Sequence, residues 1–355
     1  MRVLLVLSSG DPGGAELSVT TALRHRPGDV DVRAVVPGPG AVADELRDAG
    51  VAAEVVAPRS RRAVARARLV ATVDRGVRSF APDVVHAVGN KAALASLGPA
   101  RARRVPLVWH KVDFWYDRRG ARLLAGCCRL VIAPSRAAGA TVPAARLAIV
   151  PPPVRIAAGA RASDRRPPAT IGSVGRLEPG KGHDRVIRAA ARLRGDFQEI
   201  RVVIAGAPAP YAAGYADHLR AVAREAGLED RVELLGHVAR IEDVLCDLTL
   251  LASASHRDER GRGGEALGLA LAEAAWVGLP VVATRSGGSD EVVVDGVTGF
   301  LVAGPDDLAP AIARLLGDPE RARSAGRAGM ELARERFAPG PCSARLFAEL
   351  RRAAR

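Results

Sequence analysis

Two glutamates, Glu265 and Glu273, stand eight positions apart in "GGEALGLALAE", with only Ala, Leu and Gly between them. Read as a helix, the segment from Leu267 is apolar almost all round and belongs in a core, where an unpartnered carboxylate is costly. Glu273 therefore calls for donors, and a ribose diol supplies two hydroxyls in bidentate geometry. Glu265 precedes the helix, where it can accept hydrogen bonds from sugar hydroxyls. Between the two, free N–H groups of Leu267, Gly268 and Leu269 at the helix start suit a diphosphate or a sugar hydroxyl. The plainer alternative is an intramolecular salt bridge for Glu273 and a solvated loop for Glu265.

Three further groups share this chemistry. In "GSVGRLEPGKGHD" (172–184), Arg176 and Lys181 lie five apart around a Pro-Gly turn. Such a loop can aim two cations at one diphosphate, with the following helix dipole adding to the field. It is not a Walker A loop, because Gly182 stands where Ser or Thr is required. In "SSGDPGGAE" (8–16), a strand runs into a Gly/Pro loop and a helix beginning near Ala15. Gly13 and Gly14 let the backbone approach an anion there, although the G-x-G-x-x-G dinucleotide spacing is missing. His110 in "PLVWHKVD" closes a strand at the edge where parallel sheets hold ligands. Asn90 and Lys91 end the neighbouring run "DVVHAVGNK" at the same edge. Solvated loop cations, a plain turn and a structural histidine are the ordinary alternatives.

These groups need a scaffold, and the periodicity supplies one. Apolar β-rich runs at 2–7, 30–36, 53–56, 83–87, 107–110, 130–133 and 147–150 alternate with helical patterns at 15–25, 41–49, 61–80, 92–101, 121–128 and 137–141. After the polar "SDRRPP" (163–168) the alternation restarts. Strands are expected at 170–174, 201–205, 232–235, 248–252, 280–284 and 299–302. Helices follow at 183–193, 211–226, 267–277, 308–316, 320–337 and 343–352. Continuously apolar strands with helices between them indicate parallel sheets covered on both faces. The expected fold is α/β, with two doubly wound domains in tandem.

At 355 residues the chain is long enough for two domains. No run of about 18 uncharged apolar residues predicts a transmembrane helix. The opening "MRVLLVLSSGDPGG" lacks a cleavage-site pattern and reads as a first strand rather than a signal peptide. The four cysteines, Cys127, Cys128, Cys246 and Cys342, show no C-x-x-C spacing and read as thiols in a reducing cytosol. No metal-ligand cluster is evident.

Net charge is +13, and only Lys91, Lys111 and Lys181 are lysine. Residues 1–165 hold 26 of the 52 Lys and Arg but 13 of the 39 Asp and Glu, so the whole excess sits there. A basic half suggests an anionic partner, such as a membrane surface or an acidic acceptor. Residues 58–80 carry seven Arg against Asp74, with Ala63, Val70, Val73, Val77 and Phe80 at helical spacing. The helix is either a solvated surface element or a basic amphipathic face for anionic lipid. Interleaved aromatics are almost absent, which argues against nucleic acid.

The motifs together resemble those of the retaining glycosyltransferases of family 4, the Glu-x7-Glu enzymes. The resemblance covers nearly the whole chain: "GGAE", "VWHKVD", "GRLEPGKG", "VELLGHV" (232–238), "EALGLALAEAAWVGLPVVAT" and "GGSDEVVVDGVTGFLV". It implies a GT-B fold of two facing Rossmann-like domains with an interdomain cleft. The N-terminal acceptor-side domain would be 1–163, the donor domain 164–338, and 339–355 a helix crossing back to the N-terminal domain. It implies that Glu265 meets the transferred sugar, that Glu273 meets the ribose, and that Arg176 and Lys181 hold the diphosphate as charge develops. It further implies that Gly13 or Gly14 approaches the phosphates, that His110 lies near the sugar, and that Val238 contacts the nucleotide base.

Three departures stand out: "EALG" replaces Glu-Pro-Phe-Gly, the loop 256–264 is long and basic, and "PPPVR" replaces the usual Gly-Val-Asp. The long loop is a candidate gate or acceptor contact. The expected activity is retaining transfer from a UDP- or GDP-sugar to an acceptor hydroxyl, without cofactor or metal. The setting would be cytoplasmic, with envelope glycan or glycolipid synthesis and the inner face of the cell membrane as candidate surroundings. A soluble natural-product acceptor, or a non-transferring epimerase or nucleotide-sugar binder, is the alternative.

Overall fold

The computed structural model describes the chain except residues 58–61, 115–118, 158, 164–168, 210 and 258–262, and the side chain of Arg62. Seven strands, β1 (Arg2–Val6), β2 (Asp31–Pro37), β3 (Ala52–Val56), β4 (Val84–Val88), β5 (Leu107–His110), β6 (Leu130–Ala133) and β7 (Leu147–Ile149), form a parallel sheet in the order β3-β2-β1-β4-β5-β6-β7. Between them run α1 (Gly14–Arg24), α2 (Ala41–Asp48), α3 (Arg62–Phe80), α4 (Asn90–Ala102), α5 (Arg119–Gly126) and α6 (Arg136–Gly139).

Both faces of the inner strands of this sheet are covered, as their apolar runs require, while the edge strand β3 is largely exposed. Leu4 and Val6 of β1 pack with Leu69, Val73 and Val77 of α3. Val3 and Leu5 point the other way, toward Val19 and Leu23 of α1. The last helix joins that second face through Leu346, Phe347 and Leu350.

The second sheet is also parallel, in the order β10-β9-β8-β11-β12-β13. Its strands are β8 (Thr170–Val174), β9 (Arg201–Ala205), β10 (Val232–Gly236), β11 (Leu250–Ser253), β12 (Val281–Thr284) and β13 (Gly299–Val302). Its helices are α7 (His183–Leu193), α8 (Tyr215–Glu225), α9 (Ile241–Leu245), α10 (Leu269–Trp276), α11 (Leu308–Leu316) and α12 (Pro319–Arg336); α13 (Pro339–Ala354) ends the chain. Strand order reverses between β1 and β4 in one sheet and between β8 and β11 in the other. Beyond the carboxyl ends at such reversals lie the binding crevices of doubly wound folds.

The chain divides into one unit of Met1–Arg155 with Phe337–Arg355 and another of Ile156–Arg336. The first boundary therefore falls before the 163/164 expected from "SDRRPP", most of which lies outside the described residues. The cause is backbone pairing: Ala162 N–H donates to Val277 O at 2.7 Å and Ser163 N–H to Cys246 O at 2.8 Å. These bonds tie the segment to the second unit.

Three local expectations change. Asn90 and Lys91 do not end a strand; Gly89, at φ 82°, turns the chain and Asn90 opens α4. Helix α9 was not anticipated, because five residues carry too little periodicity. In α3 the expected stripe is also altered. Ala63 is exposed, while Leu69, Val73, Val77 and Phe80 are buried in the core. The C-terminal three turns of α3 thus bury their apolar side on its own sheet, while Arg66, Arg68, Arg75 and Arg78 face outward together with Ala63, Val64, Ala67 and Ala71.

Candidate active site

The second unit gathers the charged residues at the β8/β11 reversal. Lys181 follows the turn after β8, and its Nζ lies 2.8 Å from Glu265 Oε1. Ser255, just past β11, donates its hydroxyl to the same oxygen at 2.6 Å. Both charged side chains are largely shielded, 20% exposed for Lys181 and 14% for Glu265. Burial alone would raise the Glu265 pKa, but the Lys181 charge and the Lys181 and Ser255 hydrogen bonds outweigh it. The carboxyl is held below its ordinary value, ionised at neutral pH.

Backbone contacts fix the loops that carry these groups. Gly182 sits at φ 67°, and a Cβ there would lie 2.3 Å from the Ala254 carbonyl oxygen. Only glycine lets the lysine loop come this close to the end of β11. His256 N–H donates to Gly180 O at 3.0 Å, and Gly288 N–H to Glu265 O at 2.8 Å. The turns after β8, β11 and β12 and the lead into α10 thereby form one bonded assembly. Arg176 occupies the same loop as Lys181, with its side chain 55% exposed and 3.5 Å from Glu178.

Helix α10 begins two residues later than expected. Leu267 is buried outside it, and Gly268, at φ 97°, is its N-cap with no side-chain cap bond. The early N–H groups are those of Leu269 and Ala270, whereas Leu271 and Ala272 donate back to Gly268 O at 2.9 and 3.1 Å. Glu273 falls in the second turn but is only partly buried, so it is not the core charge that the apolar sequence suggested. Val238 is half-exposed in the loop after β10, at the outer edge of the sheet.

In the first unit, His110 ends β5 and is 7% exposed. Its Nδ1 lies 3.2 Å from Nε2 of His86 on β4, and the rings stack with centroids 5.4 Å apart. Burial lowers the His110 pKa to about 4, and burial with the neighbouring His110 lowers that of His86 well below its ordinary value. Both rings are therefore neutral near pH 7. Asn90 Nδ2 donates to Asp113 Oδ1 at 3.0 Å, while Lys91 is exposed. Lys111 is fully buried, with Nζ donating to Asp113 O at 2.6 Å and 5.6 Å from the Phe114 ring centre. Gly13 is the N-cap of α1 and Gly14 its first residue, and a Cβ on Gly13 would lie 2.8 Å from Glu16 Oε2.

Around the candidate residues the structure places Ser255, His86, His183, Glu16, Lys111 and Asp113, none of which the sequence had singled out. Lys111 carried a signal as one of three lysines, and His183 stood inside the quoted "GKGHD". Ser255 had none, since its role depends on β11 meeting β8. The roles expected for the loop 256–264 fall largely on residues outside those described. Among the described residues, no group of three or more His, Cys, Asp or Glu is placed to hold a metal ion. Among them, too, no helix is long and apolar enough to cross a membrane.

A family model described as "Glycosyl transferases group 1" matches residues 161–332. The chain is 33% identical over 278 residues to a protein of Mycolicibacterium smegmatis named GDP-mannose-dependent alpha-(1-6)-phosphatidylinositol monomannoside mannosyltransferase, covering 68% of this chain and 69% of that one. It is 36% identical over 215 residues to the protein of the same name from Mycobacterium tuberculosis (strain CDC 1551 / Oshkosh), covering 56% of this chain. That match spans about half of the relative's length, 54%. In fold, the chain is similar to Anabaena Alr3699/HepE, solved in complex with UDP and glucose, at a TM-score of 0.85 and 23% identity, covering 99% of this chain and 100% of that one.

Proposed function

Because this chain belongs to the group 1 glycosyl transferases, with the GT-B fold, we propose that it moves a sugar from a nucleoside diphosphate sugar to an acceptor hydroxyl with retention of the anomeric configuration. The observation that carries the reading is the Glu265 carboxylate, held ionised by Lys181 and Ser255 at the carboxyl edge of the β8/β11 reversal. An ionised carboxylate beside a cationic loop and an uncapped helix start suits a ligand with hydroxyls at one end and a diphosphate next to them.

In this reading Glu265 accepts from hydroxyls of the transferred sugar and Glu273 from the ribose. Lys181, Arg176 and the N–H groups of Leu269 and Ala270 hold the diphosphate. Val238 lies beside the base. In transfer, the bond between C1 of the sugar and the diphosphate oxygen breaks, and a bond from C1 to the acceptor oxygen forms on the same face. The acceptor proton passes to the departing diphosphate oxygen. Charge gathers on that oxygen as the bond breaks, so cations and N–H dipoles fixed beforehand lower the barrier most. No metal is assigned a role.

On the first unit, the same proposal gives His110 a hydrogen bond to the sugar, Gly13 and Gly14 the phosphates, and Asn90 and Lys91 the acceptor. With Nδ1 engaged by His86 Nε2, a neutral His110 has Nε2 left for the sugar and acts as a hydrogen-bonding group rather than a cation. The names of the mycobacterial relatives favour GDP-mannose as donor and a phosphatidylinositol-type lipid hydroxyl as acceptor. The excess of Arg within residues 1–165 fits an anionic lipid surface in envelope glycolipid synthesis. The test is transfer from GDP-mannose and UDP-sugars to inositol-containing lipid, with the anomer of the product read by NMR. Hydrolysis or epimerisation without transfer would refute it.

A further inference from the structure

His183 opens α7 two residues after Lys181 and is 1% exposed. Its ring lies across the neck of the loop that carries both candidate phosphate-binding cations. Nδ1 is 2.8 Å from Ser173 Oγ on β8, and Nε2 is 3.1 Å from the carbonyl oxygen of Arg176. A carbonyl oxygen only accepts, so Nε2 carries the proton. Burial lowers the pKa to about 4, against the opposing pull of the Arg176 carbonyl bond, and the ring is neutral. Nδ1 then has only a lone pair, and the Ser173 hydroxyl must donate to it. The tautomer is fixed from both sides.

We propose that His183 is a positioning residue for the diphosphate: its Nε2–H clamps the Arg176 carbonyl to β8 and so sets where the Arg176 side chain leaves the loop. The inference rests on the donor-site reading above but assigns a residue outside it. The rest of the loop already has anchors. Gly180 O accepts from His256 N–H at 3.0 Å, and Leu177 N–H donates to Ala207 O at 2.9 Å. Arg176 itself has an exposed side chain whose ion partner, Glu178, is at 3.5 Å. The carbonyl clamp, part-buried and made by a ring that is itself 1% exposed, is thus the more shielded contact at this residue. A cation displaced by about 1 Å serves a developing charge poorly, because such stabilisation depends on fixed geometry.

Two substitutions separate the ring's two bonds. His183→Gln places an amide N–H near the former Nε2 and keeps the Arg176 bond. His183→Asn places its amide near the former Nδ1 and keeps the Ser173 bond only. Binding of GDP, and of UDP in parallel, is measured by calorimetry together with kcat. His183→Asn is expected to weaken nucleotide binding about tenfold and to lower kcat, with His183→Gln restoring both to within about threefold. On an Arg176→Ala background the two should be indistinguishable. Equal behaviour of the two on the wild-type background, or a better Asn than Gln, overturns the proposal.

If His183→Asn does not fold, His183→Gln decides alone. It must bind within threefold of wild type and lose that binding on Arg176→Ala; tenfold weaker binding overturns the clamp. An Arg176→Ala protein that binds and transfers normally would instead refute the donor-site reading itself.

Discussion

Lys181 and Glu265, 84 positions apart in sequence, meet at 2.8 Å beyond the carboxyl ends of β8 and β11. Ser255 adds a second donor to the same carboxylate oxygen. The pair has a consequence for stability. Removing Lys181 leaves a shielded carboxylate with Ser255 alone, and burial then raises its pKa. Lys181→Met is expected to cost roughly 2 kcal/mol at pH 7 and to lose less at pH 5, where the carboxyl can protonate. Urea midpoints at the two pH values check this. An equal loss at both would show that the pair is solvated.

The lysine loop depends on Gly182. A Cβ there meets the Ala254 carbonyl at 2.3 Å, and the backbone is left-handed at φ 67°. Gly182→Ala is expected to destabilise by about 3 kcal/mol. Gly195→Ala, with nothing within 4 Å of the added carbon, serves as the comparison and should be near neutral. Thermal unfolding of the two variants checks the contrast, and similar melting points would contradict it.

Buried neutral histidines give stability a defined pH dependence. His110 and His183 titrate near 4 in the folded chain, against 6.5 unperturbed. The unfolded chain therefore binds more protons between these values, and stability rises with pH across that window. It is complete above about 6.5 and falls as pH drops toward 4, by about 1.4 kcal/mol per pH unit for each ring. His183→Gln should flatten the dependence of unfolding free energy between pH 6.5 and 4. An unchanged slope would show that the ring is protonated in the folded state.

Surface charge on α3 makes a separate expectation. Leu69, Val73, Val77 and Phe80 are packed in the first unit's core and Val64 alone of the larger apolar side chains described on α3 is exposed, so contact with lipid is expected to be mainly electrostatic. Arg75 and Arg78 are already paired with Glu54 and Asp74, which leaves Arg66 and Arg68 as the exposed candidates among the described arginines of α3. Flotation with phosphatidylinositol-containing vesicles at low salt should fall on Arg66→Glu/Arg68→Glu and with added salt. Binding unaffected by either change would assign the surface elsewhere.

Legibility of the sequence followed the physics of each element. All thirteen described strands were readable, the inner ones because parallel strands buried on both faces are near-continuous apolar runs such as "LVIA", although the edge strands β3 and β10 are only partly buried. Helix starts were less readable. The α10 start hid behind a left-handed Gly268, and α4 began at Asn90 because of the turn at Gly89. In the site, Glu265 and Lys181 stood out by type and context. Their mutual ion pair did not, nor did the Ser255 and His183 contacts, since all depend on which strand ends become neighbours. The buried charge expected at Glu273 was misplaced for a related reason: composition showed an apolar helix, but not which turn lay open.

The central reading is tested most directly by one measurement: transfer of labelled mannose from GDP-mannose, with UDP-sugars in parallel, to inositol-containing lipid by the wild type, Glu265→Ala and Lys181→Ala. The result expected is an α-linked product from the wild type and at least a hundredfold loss of turnover in each variant that still melts cooperatively. Near-normal turnover in both variants would contradict it.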